Sequence, residues 1–240
     1  VIIGTYNDFS VSKTYVVFGK ASGFDASLQL SSLDGHIGFS LIEVAKRDAA
    51  GFSVSGAGDI NGDGFDDVIV GANGANPNGS SSGSSYVVFG KVSGFDAAME
   101  LSSLNGSNGF RLDGAEQGDK SGFSVSGAGD VNGDGFDDVL IGAHGVDSNG
   151  RYAGASYVVF GKASGFDAAM DLSSLDGNNG FRLDGRGFSV SGAGDVNGDG
   201  FDDVIIGSSD TSYVVFGKAS GFDATLGLSS LDGSNGFRLD

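Results

Sequence analysis

The 240-residue chain has no cysteine, a single proline and only two histidines. Without cysteine, disulfides, thiolate metal sites and cysteine nucleophiles are excluded, while the redox compartment stays open, because such a chain suits either side of a membrane. Basic residues are scarce too: 13 Lys and Arg stand against 31 Asp and Glu, a formal net charge of −18. The few cations are scattered, so no basic patch exists to attract phosphate, and neither nucleic acid nor anionic lipid is an expected partner. No apolar run approaches the length of a membrane span, and no membrane insertion is expected. No leader segment is visible, and the first residue is Val1 rather than Met, which reads as a processed product or a fragment. Glycine, by contrast, is abundant at 45 residues, without the three-residue period of collagen. A hydrophobic content of 39% is enough for a real core.

The glycines gather in a nine-residue phrase that occurs three times. It reads Asp59-Ile60-Asn61-Gly62-Asp63-Gly64-Phe65-Asp66-Asp67, and returns at Asp130–Asp138 and Asp195–Asp203 with Val at its second position. Oxygen-bearing side chains occupy positions 1, 3, 5 and 9, with Gly at 6 where a sharp turn is needed. That spacing is the grammar of a loop wrapped around a hard cation, here calcium, with the backbone carbonyl of position 7 as a further ligand. The expected ligands are Asp59, Asn61, Asp63, Phe65 (carbonyl) and Asp67 in the first loop. The second set is Asp130, Asn132, Asp134, Phe136 (carbonyl) and Asp138. The third is Asp195, Asn197, Asp199, Phe201 (carbonyl) and Asp203. Asp66, Asp137 and Asp202 at position 8 are expected to face away, because neighbours in an extended segment alternate sides. Three ligand carboxylates per loop would repel one another without a cation. Three divalent ions would bring the formal charge to about −12, still acidic.

Two other readings compete. One is a Gly/Asp turn held by Asx hydrogen bonds with no metal; the same positions filled in three copies weigh against it. The other is a helical EF-hand, which needs Glu at position 12 and a helix after it. Position 12 is Val70, Ile141 or Ile206, inside the runs Val68-Ile69-Val70, Val139-Leu140-Ile141 and Val204-Ile205-Ile206. Short β-branched runs bounded by Gly are buried strands, so each loop joins two strands.

The phrase belongs to a longer repeat. Gly51–Gly58, Gly122–Gly129 and Gly187–Gly194 precede it as a strand of small residues. After the buried strand comes a variable polar loop, then Tyr86-Val87-Val88-Phe89-Gly90-Lys91, with copies led by Tyr15, Tyr157 and Tyr213. Leu101-Ser102-Ser103-Leu104 and Gly109-Phe110-Arg111-Leu112-Asp113 complete the unit, the last as its outer strand. Four short strands between Gly and Asp turns describe one blade of a propeller. The expected divisions are 1–50, an incomplete blade lacking inner strand and metal loop, then blades at 51–121, 122–186 and 187–240, each with a calcium loop. The fold is therefore all-β: four-stranded antiparallel blades, three complete plus most of a fourth. An open stack leaves sheet edges exposed. The array is expected to be part of a larger ring, with a small closed ring or assembly with copies of itself as alternatives.

Gly-Phe before the loop, Asp-x-Asn-x-Asp-Gly-x-x-Asp within it and Gly-Ala after it resemble the FG-GAP repeat, over nearly the whole chain. That family includes the roughly seven-bladed propeller of integrin α subunits and many bacterial extracellular proteins. The resemblance implies a β-propeller of about that size with calcium at the fifteen positions named above. The chain departs from the pattern in its blade number, in the missing first metal loop, and in having Asn73, His144 or Ser209 where the family's usual Pro follows Gly-Ala. The Tyr-Val-Val-Phe-Gly-Lys and Leu-Ser-Ser-Leu segments are closer to bacterial members than to integrins.

Three functions are open at this point. The first is a calcium-stabilised extracellular or cell-surface scaffold for adhesion, meeting a protein or glycan ligand through the variable loops Asn73–Ser85 and Gly145–Ala155. The second is a self-assembling structural array, such as a surface layer or filament. The third is a module of a carbohydrate-active enzyme, although the Asp clusters are better read as ligands and His36 and His144 have no evident catalytic partner. No catalytic residue and no organic cofactor are expected. Lys20, Lys91, Lys162 and Lys218 read as solvent-facing strand ends, and Arg111, Arg182 and Arg238 as charges on an exposed outer edge.

Overall fold

A computed structural model describes residues 1–5, 12–147, 153–163, 165–185, 187–208 and 210–240. Ser209 and the middle of the loop 145–155, both used above, lie outside the described residues. In chain order the strands are β1 (Ile2–Thr5), β2 (Lys13–Val17), β3 (Gly38–Ile42), β4 (Ser53–Gly58), β5 (Asp67–Ala72) and β6 (Ser84–Val88). Then come β7 (Ala98–Glu100), β8 (Gly109–Asp113), β9 (Ser121–Gly129), β10 (Asp138–Ala143), β11 (Ala155–Val159) and β12 (Ala169–Asp171). The last are β13 (Gly180–Asp184), β14 (Ser189–Gly194), β15 (Asp203–Gly207), β16 (Ser212–Val215), β17 (Thr225–Gly227) and β18 (Gly236–Leu239).

They form four separate sheets, each an antiparallel meander. The second, β4-β5-β6-β8, shows the full pattern, with Val70 opposite both Val54 and Tyr86. The third is β9-β10-β11-β13, the fourth β14-β15-β16-β18, and the first has β1-β2-β3. These are the blades of an open, partial propeller. Among the described residues no helix is long and apolar enough to cross a membrane.

The Gly-Phe-Arg-Leu-Asp strand, expected as the outer strand, and its Gly-Phe-Ser-Leu-Ile counterpart β3 are not the outer edge of their blades where another blade follows. The next repeat lays a three-residue strand beside each, in parallel: β7 on β3, β12 on β8 and β17 on β13. Such a segment pairs only across a blade boundary, so repeat spacing within one unit does not reveal it.

The core lies between blades. Residues alternate sides along a strand, so adjacent apolar residues serve different interfaces. Val70 and Val88 pack toward Phe39 and Leu41 of the first blade, whereas Ile69 and Val87 pack toward Ile141 and Tyr157 of the third. A sheet covered on both faces reads as a continuous apolar run, which is why β5 and β10 lack the usual polar alternation. The inner strands consist of Ser, Gly, Ala and Val because they crowd together. A Cβ on Gly127 would lie 2.9 Å from the Gly56 carbonyl, and one on Gly192 would lie 2.9 Å from the Gly127 carbonyl.

Candidate metal loops

Each nine-residue phrase connects an inner strand to the buried strand after it, as the apolar runs require. The register between those two strands shifts beside the loop, between Gly56 and Gly58 in the first copy and between Gly192 and Gly194 in the third. Gly58 has φ of 72° there, in the left-handed region.

Inside the loop the backbone curls around its own side chains. The Asp59 carboxylate accepts N–H bonds from Asp63 (3.0 Å) and Gly64 (2.8 Å), and Asn61 Oδ1 accepts a second from Asp63 (2.9 Å). Asp63 in turn accepts from Phe65 N (3.0 Å) and Asn61 Nδ2 (3.1 Å). The second and third loops repeat this, with Asp130 taking Gly133, Asp134 and Gly135, and Asp195 taking Gly198, Asp199 and Gly200. The position-9 carboxylates are fully buried. Asp67 accepts from Ile60 N (3.0 Å) and Gly90 N (2.7 Å), Asp138 from Val131 N and Gly161 N, and Asp203 from Val196 N and Gly217 N (all four 2.9 Å). One carboxylate thus ties the metal loop to the turn after the third strand of the same blade.

Burial makes Asp67 and Asp138 hard to ionise. Burial pushes Asp67 up to about 7, with the charges of Asp63 and Asp59 adding to it and the Gly90 and Ile60 N–H groups opposing. Asp138 is pushed up to about 8 by burial, with Asp134 and Asp130 adding. A divalent cation would relieve both costs. The donors are all oxygen, from carboxylate, amide and carbonyl, which fits a hard cation of the calcium type. Among the described residues, however, no group of three or more Asp, Glu, His or Cys side chains is gathered closely enough to hold a metal ion. The loop carboxylates are engaged by N–H donors instead: Asp130 Oδ1 and Asp195 Oδ1 each accept two, whereas Asp67 and Asp138 accept one on each oxygen and keep a further lone pair there.

Two of the position-8 Asp residues, Asp137 and Asp202, face away from their own loops toward the preceding blade, a destination that local spacing does not reveal. Asp137 accepts the Asp59 N–H of the preceding blade at 2.7 Å, and Asp202 accepts that of Asp130 at 2.9 Å. The side chains at position 7 reach the same neighbour. A Cβ on Gly62 would lie 2.4 Å from the Phe136 ring, and one on Gly133 2.3 Å from Phe201. Lys162 N and Lys218 N add bonds to the Ile60 and Val131 carbonyls of the preceding loops. Every boundary between two metal-loop blades is therefore stapled through the loops.

The opposite face carries different chemistry. Because the two strands joined by each loop are antiparallel, Phe52, Phe188 and the start of the Asn73–Ser85 loop lie at the other end of the blades. Phe52 and Phe123 approach to 5.1 Å between centroids, Phe123 and His144 to 4.1 Å, and His144 and Phe188 to 5.1 Å. His144 thus has aromatic neighbours that its sequence context did not suggest. Burial, then Lys120, pushes its pKa down, so the ring favours the neutral form. The Lys side chains read as solvent-facing also have a partner: Lys91, Lys162 and Lys218 each lie 4.8–4.9 Å over a Phe ring of their own turn.

The architecture and the loops define the class: a β-propeller whose blades are locked through acidic, glycine-rich loops. The FG-GAP repeat family model matches residues 50–88, 121–159 and 187–219, the three blades that carry those loops. The chain thus carries three FG-GAP repeats in a propeller of the integrin-like type. It is 31% identical to integrin alpha-4 of Xenopus laevis over 153 residues, 63% of this chain. It is also 34% identical to integrin alpha pat-2 of Caenorhabditis elegans over 97 residues, 40% of the chain, and 35% identical to integrin alpha-E of Mus musculus over 98 residues, 39% of the chain. The match spans only 14%, 8% and 8% of those three proteins.

Proposed function

We propose that the chain is a calcium-stabilised propeller scaffold of an extracellular or cell-surface protein, serving adhesion to a protein ligand. The observation that carries the calcium part is the coupling of the first and second metal loops to the next blade. Asp137 holds the backbone of Asp59, and Asp202 that of Asp130, at the first ligand position of each preceding loop. A cation bound by Asp59, Asn61, Asp63, the Phe65 carbonyl and Asp67, and likewise in the other two loops, would fix the surface on which the next blade rests. Calcium sites of extracellular modules often bind at about 10⁻⁴–10⁻³ M, a range suited to a calcium-rich exterior. The ligand surface belongs at the opposite end, where Phe52, Phe123, His144 and Phe188 accompany the variable loops. The role is non-catalytic: the loop carboxylates are engaged by backbone donors, and His144 sits among rings rather than carboxylates.

The test is calorimetric calcium titration with thermal melting before and after chelation. Saturable binding of about three ions and a higher melting temperature in calcium are expected, since a ligand of the folded state alone stabilises it. Unchanged melting after confirmed metal removal would overturn the calcium role.

A further inference from the structure

The second and third metal loops each grip the loop of the preceding blade at two points. The first grip is a reciprocal clasp. Asp59 N donates to the Asp137 carboxylate at 2.7 Å, and Asp137 N donates back to the Asp59 carbonyl at 3.3 Å. Asp130 and Asp202 repeat it at 2.9 and 3.1 Å. The fit is close: a Cβ on Gly58 or Gly129, just before the clasped residue, would lie 2.2 or 2.1 Å from the carboxylate oxygen of Asp137 or Asp202. The second grip is a relay through the turn after the third strand. Asp138 accepts Gly161 N, and the next residue, Lys162, donates its N–H to the Ile60 carbonyl at 2.9 Å. Ile60 N in turn donates to Asp67. Asp203, Gly217, Lys218 and Val131 form the same relay, which ends on Asp138.

Both grips connect the expected ligand positions of one loop to those of another. Asp137 lies between Phe136 and Asp138, positions 7 and 9 of its own loop, yet its side chain serves Asp59, position 1 of the loop before. The relay joins Asp138 to Asp67, position 9 to position 9. Whatever fixes positions 7 and 9 of one loop therefore fixes the backbone that carries carboxylates of the preceding one. Those carboxylates must be gathered against their mutual repulsion. A loop already ordered binds more tightly, because the cation no longer has to order it.

We propose that Asp137 and Asp202 are positioning residues for the calcium loop of the preceding blade, so that the three loops take up calcium cooperatively. Filling Asp130–Asp138 raises the affinity of Asp59–Asp67, and filling Asp195–Asp203 raises that of Asp130–Asp138. Coupling between binding sites is reciprocal, so each gain also runs the other way. The inference rests on the calcium reading above and adds regulation to it. Independent sites would stabilise each blade separately, whereas coupled sites tighten or loosen the three blades together over a narrow range of calcium concentration.

A double-mutant cycle tests it, in a D199N background that removes the third site. The Gly64 amide, which donates to Asp59 inside the first loop, reports that loop in NMR titrations with calcium. D134N removes a ligand charge from the second loop while keeping an acceptor for Phe136 N. It should weaken the first loop by about fivefold or more, the low end of coupling between sites. In D137A the same D134N step should lose at least about half of its effect on a logarithmic scale, with the relay through Lys162 carrying the rest. D137N keeps an acceptor oxygen for Asp59 N and should preserve the full effect. Melting curves check that every variant is folded, and the D134N step with Asp137 in place decides the coupling by itself. Calcium binding at Gly64 that is indifferent to D134N would overturn the cooperativity and leave the calcium reading standing. A D134N effect unchanged in D137A, or lost equally in D137N, would overturn the role of Asp137. No calcium response of Gly64 in the D199N parent would sink the calcium reading and this inference with it.

Discussion

Gly71 and Gly207 occupy the same place in their blades, at or next to the end of the second strand, yet alanine should have opposite effects on them. A Cβ on Gly71 would lie 2.1 Å from the carbonyl oxygen of Gly122 in the next blade. Both atoms belong to hydrogen-bonded backbone, so the strands must part by about 1 Å to restore a tolerable contact. A forced separation of this kind belongs at the upper end of overpacking costs, about 3 kcal/mol. For a chain of this length that lowers the melting temperature by roughly 6–12 °C. At Gly207 the nearest atom to a Cβ is Ser189 Cβ at 3.5 Å, ordinary contact, because no further blade covers it. Neither position has a left-handed φ, so sterics alone separates them. G207A should change stability by less than about 1 kcal/mol, and a slight gain is the expected sign, since Ala narrows the unfolded ensemble. Differential scanning calorimetry of the two variants side by side decides it. Equal losses would refute the stacking geometry, and no loss in G71A would show that the blades are not in contact there.

Asp138→Ala removes the acceptor of two buried N–H groups, Val131 and Gly161, and should cost about 2–6 kcal/mol in urea melts even without calcium. Asp137→Ala breaks only the bond to Asp59 N across a blade boundary; a loss of about 1–2 kcal/mol is expected. Since Asp137 is no ligand, its calcium stoichiometry should remain that of the wild type. Metal-stripped protein should lose stability as pH rises from about 4 to about 8. The sign follows from Asp67 and Asp138, whose folded pKa values of about 7 and about 8 lie above the unfolded one, so their contribution is full at low pH and disappears as they ionise. Saturating calcium should flatten or reverse that slope, and a metal-free slope of the opposite sign would show that other groups dominate.

What the sequence disclosed and what it hid follow from one distinction. Features confined to one repeat were legible: the loop between two strands, the buried run after it and the four-strand meander all declare themselves in local spacing and apolar pattern. Features that cross a blade boundary were not. Asp137 and Asp202 were correctly read as turned away from their own loops, but nothing local says that they reach the backbone of Asp59 and Asp130. Ala169-Met170-Asp171 is too short to declare a strand by its own pattern, and it is one because β8 lies beside it. Arg111 was read as an edge charge; its ion pair with Asp113 is present, but the edge is covered by the next blade. In a repeat array every boundary is built from the same residues, so a position kept in all copies without a local role is the trace of a contact with the neighbour. Gly62, Gly133 and Gly198 are not such a trace. The first two are pressed by Phe136 and Phe201 of the following blade, whereas Gly198 has open space beside it. All three have a left-handed φ, a local requirement that favours glycine in each copy. Gly207 has no such local role: its φ is ordinary and a Cβ there would make only ordinary contact with Ser189, yet it keeps the residue that Gly71 needs for packing against the next blade. Its presence argues that the face of the fourth blade was built to the same pattern as the faces that are covered.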